Sequence, residues 1–243
     1  MPLRLHYNLE KISMGLVGSI IVAASIGGLV EIAPLFTIDE TVAVPADLRP
    51  LTPLELAGRE IYIREGCYAC HSQMIRSLAD EIDRYGPYSL AAESAYDHPM
   101  LWGSKRTGPD LARLGGKYSD RWHVEHMTDP RAVVPASIMP AYPWLARPLD
   151  TGNLGAELAT LARLGVPYDE AMIANAATDA LAQSRPDAAG ADAARERYGE
   201  AMTIRDFDGN PAQLSEMDAL VAYLQSLGTQ TRAPYELMAK EGE

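Results

Sequence analysis

The sequence predicts a mainly α-helical protein with a single membrane-spanning helix near its N-terminus. Residues 12–30 carry no charged side chain, and this apolar run is long enough to cross the hydrocarbon core of a membrane as a helix. Alanine is abundant in the last third of the chain, whereas phenylalanine occurs only twice, which favours helices over strands. Apolar residues also recur at helical spacing in residues 215–227.

The membrane helix is predicted over residues 12–36. A cleaved signal peptide is the alternative, but its apolar region would be about 7–15 residues long, shorter than this one. Positive residues favour the cytoplasmic side of a membrane. Arg4 and Lys11 precede the helix, whereas Asp39 and Glu40 follow it. We therefore expect an uncleaved anchor in the inner membrane of a bacterium, surrounded by membrane lipid, with its N-terminus in the cytoplasm.

The segments on either side of the anchor follow from this topology. Residues 1–11 are expected in the cytoplasm, residues 37–52 form a linker, and the rest of the chain lies in the periplasm. Glu31 stands near the end of the anchor, where an ionisable residue faces either the membrane interface or another subunit.

The segment CYACH, residues 67–71, has the C-x-x-C-H pattern of a c-type haem attachment site and follows a helix predicted over residues 54–65. The thiols of Cys67 and Cys70 would add to the two vinyl groups of one haem, and His71 would coordinate the iron from one face. A zinc site, a thioredoxin-like redox pair and a chance match are the alternatives. The chain has two cysteines in all, so a zinc site has no second cysteine pair.

An electron-transfer haem needs a second axial ligand, for which methionine is the usual choice in cytochromes c. Met139 is the candidate, because it lies in the proline-rich segment IMPAYPW, where Pro140 fixes the backbone after it. His123 and His126 are the rivals, three residues apart on one face of a helix. Met74 is too close to His71 to reach the opposite face of the ring.

Residues 148–212 form an alanine-rich insertion, and two helices are predicted in it, over residues 169–186 and 187–202. The insertion is expected to be peripheral. The final helix, residues 215–227, has Ser215 as a cap and ends at a glycine. The soluble domain is thus predicted over residues 53–228, followed by a polar, mobile tail over residues 229–243.

The first and last helices of this domain resemble the crossed pair that frames a class I cytochrome c. In the same proteins a G-P-x-L element places its proline carbonyl against the haem-ligating histidine, and GPDL at residues 108–111 is similar. The resemblance gives Pro109 this role. The three residues before Thr107 either contact haem propionates or form a solvated basic turn; they are Ser104, Lys105 and Arg106.

Three longer blocks are similar to the mono-haem subunit of cbb3-type cytochrome c oxidases, the subunit designated CcoO or FixO. These blocks are CYACHSQMIR, YDHPMLWGSKRTGPDLARLGGKYSDRWHVEHM and PASIMPAYPWL. GGLVEIAPLF in the anchor matches as well. The resemblance covers residues 1 to 147 and the final helix, whereas the insertion lacks such motifs.

The resemblance implies that the subunit carries one covalently bound haem c with thioethers at Cys67 and Cys70 and axial ligands His71 and Met139. It further implies electron transfer to the b-type haem of a catalytic haem–copper subunit, which reduces oxygen to water and pumps protons. A di-haem cytochrome c subunit is a further partner. A calcium ion at the interface with the catalytic subunit is also implied, with Ser104 as its candidate ligand.

The net charge of −12 argues against nucleic acid as a partner, because nucleic acid binding needs a basic face. An acidic surface either docks a basic partner or simply keeps the protein soluble. Three other functions stay open at this point. They are a free-standing membrane-anchored electron carrier, a haem-based gas sensor, and a cytochrome c1-like subunit of a quinol-oxidising complex.

Overall fold

The computed structural model describes Tyr7, Glu10–Phe36 and Val44–Glu241. The chain divides into two compact units, residues 1–44 and residues 45–243. It is mainly helical, with ten α-helices and no strand among the described residues, so the predicted fold class is confirmed. In chain order the helices are α1 Ser13–Leu35, α2 Pro53–Arg64, α3 Ala79–Tyr85, α4 Asp120–Thr128, α5 Pro130–Val133, α6 Leu154–Arg163, α7 Glu170–Ser184, α8 Ala191–Tyr198, α9 Glu216–Ser226 and α10 Ala233–Glu241.

The first unit contains one long apolar helix, α1. Residues Ser13–Pro34 have a mean hydropathy of 2.1, and no side chain in this span is buried. At 1.5 Å per residue the helix is about 34 Å long, enough to cross a hydrocarbon core. Its bounds lie within one residue of those predicted. Arg4, Asp39 and Glu40, on which the predicted orientation partly rests, lie outside the described residues.

Residues 45–52, the second half of the predicted linker, belong to the second unit, residues 45–243, which is the soluble unit. Leu48 is buried, and the carboxylate of Asp47 accepts hydrogen bonds from Thr231 Oγ1 and from the backbone N–H of Arg232, both at 2.7 Å. The guanidinium of Arg49 pairs with the carboxylate of Glu55 at 2.7 Å. The linker prediction is therefore wrong for residues 45–52, because contacts distant in sequence hold them.

Helices α2 and α9 cross at the centre of the soluble unit. Each begins with a reciprocal capping box, formed by Thr52 and Glu55 in α2 and by Ser215 and Asp218 in α9. Gly58 makes the close crossing possible, since a Cβ there would lie 1.9 Å from the carbonyl oxygen of Ala219. The crossing fixes the end of α2, from which the C-x-x-C-H segment continues.

The insertion is not peripheral, in contrast to the prediction. Apolar side chains of α6 and α7 belong to the same buried core as α2 and α9; among them are Leu154, Leu158, Ala176 and Ala180. Gln183 of α7 is fully buried, and its Oε1 accepts a hydrogen bond from Thr52 Oγ1 at 2.5 Å. The hydroxyl of Tyr168 donates to the carbonyl of Leu51 at 2.8 Å. These contacts make the insertion a second layer on α2.

The two helices predicted in the insertion are present as α7, which is somewhat shorter than expected, and α8, which has 8 residues and is half as long as expected. Helix α6 was not predicted, although Leu154, Leu158 and Leu161 stand at helical spacing. The tail also differs from the prediction, because nine of its residues form helix α10.

Candidate haem site

The C-x-x-C-H segment is a tight turn that starts just after α2. Gly66 takes a left-handed conformation with φ of 74°, and Cys67–Ala69 forms one turn of 3-10 helix. The carbonyl of Cys67 accepts hydrogen bonds from the N–H groups of both Cys70 and His71, at 3.1 and 2.9 Å. The turn thus brings the backbone of all three predicted haem-binding residues together.

Both thiols are free of disulfide bonds. Cys70 is exposed, whereas Cys67 is half-buried and packs against the hydrophobic core. Burial raises the pKa of the Cys67 thiol to about 12, and the negative charge of Glu65 adds to this effect. Cys67 is therefore a neutral thiol at neutral pH, not a reactive thiolate of the kind found in redox-active cysteine pairs.

The imidazole of His71 is held by the backbone of the loop at residues 108–109. Its Nδ1 lies 2.8 Å from the carbonyl oxygen of Pro109, which can only accept a hydrogen bond, so Nδ1 carries the proton. The ring Nε2 then keeps a lone pair for a metal. A Cβ at Gly108 would lie 2.3 Å from Cε1 of the ring, so only glycine fits beside this imidazole.

Met139 lies in the loop between α5 and a 3-10 turn at Pro143–Ala146. Its side chain is half-buried and packs against the hydrophobic core. Two hydrogen bonds hold the loop: Met139 N–H donates to Ser137 Oγ at 3.2 Å, and Tyr142 N–H donates to the carbonyl of Met127 at 2.7 Å. The second bond attaches the Met139 loop to the end of α4.

The two rival ligands lie on α4. His123 is 1% exposed, and neither ring nitrogen has a hydrogen-bond partner among the described residues. Burial lowers its pKa to about 4. Burial also lowers the pKa of His126, and the charge of His71 contributes in the same direction. The His123 ring is thus neutral at neutral pH.

The basic turn before Thr107 has two exposed residues and one that is half-buried. Ser104 and Lys105 are exposed. Arg106 points into the protein, where its guanidinium donates to Ser72 Oγ at 2.7 Å and to the carboxylate of Glu81 at 2.8 Å. A haem propionate would have to compete with these contacts for Arg106.

Sequence reasoning missed a buried polar network beside His71. Asp110 accepts hydrogen bonds from Ser72 Oγ at 2.5 Å, from the N–H of Met74 at 2.9 Å and from the N–H of Ala112 at 2.8 Å. The hydrogen bond from Arg106, with contributions from Arg76, lowers the pKa of Glu81 to about 2. The network fixes the chain on both sides of the histidine. One feature of the sequence could have pointed to this network: Asp110 directly follows Gly108 and Pro109.

The residues present fit a covalently bound haem. Two free thiols stand three residues apart, the adjacent imidazole has its Nδ1 held and its Nε2 available, and Gly108 leaves room beside the ring. Buried imidazole nitrogens on α4 have no partner among the described residues, as expected where a bound group completes the site. A bound haem would supply a one-electron redox couple at its iron.

Comparison with known proteins identifies the family. A model of the family described as "Cytochrome C oxidase, mono-heme subunit/FixO" matches residues 6–231, which include the anchor helix, the C-x-x-C-H turn and Met139. A search of curated protein sequences finds no significant match. The family model covers well over half of the chain, so the chain belongs to the FixO family of mono-haem cytochrome c oxidase subunits.

Proposed function

We propose that this chain is the electron-transfer subunit of a cbb3-type haem–copper oxidase. The observation that carries the proposal is the geometry at His71, which follows a pair of free thiols and has its Nδ1 2.8 Å from the Pro109 carbonyl. This arrangement suits a covalently attached haem c with a histidine ligand. The family match supports the oxidase as its setting.

Cys67 and Cys70 would hold one haem c through thioethers, and His71 and Met139 would be the ligands of its iron. With both ligands supplied by the protein, the haem would supply single-electron transfer and no oxygen chemistry. This ligand pair also sets a higher reduction potential than two histidines would. The half-buried position of Met139 and the hydrogen bond that ties its loop to Met127 of α4 support its role.

The chain receives electrons from a c-type donor or from a di-haem cytochrome c subunit. It passes them to the b-type haem of the catalytic haem–copper subunit, which reduces oxygen to water and pumps protons. Helix α1 anchors the chain in the lipid of the bacterial inner membrane, with its N-terminus in the cytoplasm and the soluble unit in the periplasm. Lys11 before the helix and the need to attach haem c outside the cytoplasm support this orientation.

Two further roles concern the basic turn. Ser104 is proposed to contribute to a calcium site at the interface with the catalytic subunit, and its exposure leaves its hydroxyl accessible to a partner. Lys105, also exposed, is proposed to contact a haem propionate. Arg106 is a weaker candidate for that contact, because it already pairs with Glu81.

The test is a reduced-minus-oxidised visible spectrum of the full chain, purified from native membrane in mild detergent. We expect b-type haem signals beside the c-type signal, together with oxygen uptake. A c-type signal alone, under conditions that preserve complexes, would instead favour a free-standing electron carrier. The absence of any c-type signal would rule out both.

The axial role of Met139 has its own test. Met139→His should lower the midpoint potential of the haem, since histidine stabilises ferric iron relative to methionine. Potentiometric titration of the purified complex measures the shift. An unchanged potential would show that Met139 is not the ligand.

A further inference from the structure

A hydrogen bond between two side chains joins the haem attachment turn to the loop that carries Met139. Glu65 directly follows α2 and stands two residues before Cys67. The indole Nε1–H of Trp144 donates to Oε2 of Glu65 at 3.2 Å. Trp144 stands five residues after Met139, in the 3-10 turn that closes the loop. The bond therefore connects the segment with the two cysteines to the segment with the proposed second axial ligand.

The acceptor, the carboxylate of Glu65, is itself held in place. Nε and Nη2 of Arg64 donate to its Oε1 at 3.0 and 2.9 Å, which leaves Oε2 for the indole. Arg64 also donates to both carboxylate oxygens of Glu216 in α9, at 2.9 and 2.6 Å. The side chain of Glu65 is 14% exposed. Trp144 thus meets a fixed carboxylate, and hydrogen bonds to carboxylates are stronger than those between neutral groups.

The 3-10 turn that carries Trp144 is also attached to α9. Nε of Arg147 donates to Oε2 of Glu216 at 2.8 Å, and the N–H of Glu216 donates to the carbonyl of Arg147 at 3.0 Å. Leu145 within the turn is fully buried, whereas Trp144 is 47% exposed. Burial of Leu145 therefore packs the turn against the core, and the specific contact of the Trp144 indole is its hydrogen bond to Glu65.

The chain between Met139 and Trp144 has little freedom. Pro140 and Pro143 fix the φ angle at two of the four intervening positions. The N–H of Tyr142 donates to a carbonyl of α4 at 2.7 Å. The ring of Tyr142 meets that of Trp144 edge to face, with 5.4 Å between centroids. A movement of Trp144 is therefore transmitted along the loop to Met139.

We propose that the hydrogen bond from Trp144 to Glu65 holds the Met139 loop against the haem attachment turn and so keeps the Met139 sulfur on the haem iron. Trp144 and Glu65 would be positioning residues, because they act on the iron only through the loop. A ligand whose loop is tied at this point is harder to displace, since its release also requires the tie to break. The inference rests on the proposed function, since it takes Met139 as the ligand.

The test uses added imidazole, which competes with methionine for ferric haem iron. The weak far-red absorption band of methionine-ligated ferric haem is followed in the purified complex as imidazole is added. The part of the band that is missing from Met139→His belongs to this chain. Trp144→Phe keeps an aromatic ring and loses the donor. We expect this variant to lose the band at about tenfold lower imidazole concentration, the effect of one hydrogen bond to a charged group.

Trp102→Phe is the matched control, because the indole Nε1–H of Trp102 also donates to a side chain, Ser94 Oγ at 2.9 Å, outside the Met139 loop. It should need the same imidazole concentration as the unmodified chain. Glu65→Ala should match Trp144→Phe, whereas Glu65→Gln keeps a side-chain oxygen that accepts a hydrogen bond and should stay close to the unmodified chain. Combining Trp144→Phe with Glu65→Ala should add nothing, because the bond is already lost.

Several outcomes would overturn the inference. One is an unchanged imidazole concentration for Trp144→Phe; another is an equal decrease in Trp102→Phe, which would indicate general loosening of the protein. Additive effects in the double variant, or a Glu65→Gln protein as weak as Glu65→Ala, would show that the hydrogen bond is not the cause. If Glu65→Ala does not accumulate, Trp144→Phe and Trp102→Phe decide alone. A Met139→His protein that keeps the whole far-red band instead refutes the ligand assignment, so failure of the proposed function is recognisable separately.

Discussion

At Gly108 the backbone passes so close to His71 that no side chain fits between them. An added Cβ would lie 2.3 Å from Cε1 and 2.8 Å from both ring nitrogens. The N–H of this residue also donates to the carbonyl of Cys70 at 3.0 Å, which ties the loop to the haem attachment turn. A substitution must therefore move either the imidazole or the loop.

Gly108→Ala should displace the His71 ring from the Pro109 carbonyl and so weaken the haem site. We expect less covalently bound haem per chain, measured by the haemochrome spectrum in alkaline pyridine against total protein. Gly152→Ala is the matched control, because the added methyl would meet only the flexible side chain of Asp150 at 3.2 Å. Full haem content in the Gly108 variant would contradict the close approach.

At the scale of single residues, the sequence indicated the haem attachment turn, because the five adjacent residues 67–71 form the complete attachment motif. It could not indicate the buried network of Ser72, Asp110, Arg106 and Glu81. The partners in this network are up to 38 residues apart, and a charged residue shows no local sign of where its partner lies. The unpaired ring nitrogens of His123 and His126 are likewise visible only once burial is known.

At the scale of elements, the crossing of α2 and α9 organises the soluble unit. Tyr62 and Tyr223 meet edge to face at this crossing, with 5.7 Å between ring centroids. Gly58 permits the contact, since its Cα faces the backbone of α9 directly. Two residues separate the end of α2 from Cys67, where the haem attachment turn begins. The crossing of α2 and α9 therefore also positions the site.

Gly58→Ala should destabilise the protein. Alanine is favoured over glycine within a helix by about 1 kcal/mol. Overpacking typically costs about 1–3 kcal/mol, and here the atom in the way is a backbone oxygen that a side-chain rotation cannot remove. Chemical denaturation of the full chain in detergent, followed by circular dichroism, should show a lower midpoint. Glu60→Ala on the exposed side of α2 is the control, and a Gly58 variant as stable as this control would contradict the crossing geometry.

Sequence patterns predicted α2 and α9 to within one residue at each end, α9 from its Ser215 cap and helical spacing, and the alanine-rich stretch predicted α7 to within two residues. The role of the insertion could not be predicted in the same way. Its attachment to α2 depends on a fully buried Gln183 that reaches Thr52, and an amide in an alanine-rich helix looks like a surface residue in sequence. The polarity of the tail predicted a mobile segment and did not reveal helix α10.

At the scale of the whole molecule, the chain combines an exposed apolar helix with an acidic soluble unit built around one helix crossing. As a member of a cytochrome c oxidase subunit family, it carries a haem cofactor and works with partner subunits in electron transport. The apolar helix serves as its membrane anchor. Composition, the charge-free run at residues 12–30 and helical spacing predicted this helical, membrane-anchored organisation, whereas the haem assignment depended on one short motif and its surroundings.

The central claim is that electrons reach the oxygen-reducing centre through the haem of this chain. The most direct measurement is oxygen uptake by the purified complex with a c-type cytochrome donor, after replacing both attachment cysteines in a Cys67→Ser, Cys70→Ser chain. The b-type haem signals report whether the complex has still assembled. We predict that oxygen uptake is lost while those signals remain. Unchanged oxygen uptake in a complex that lacks the c-type haem of this chain would contradict the claim.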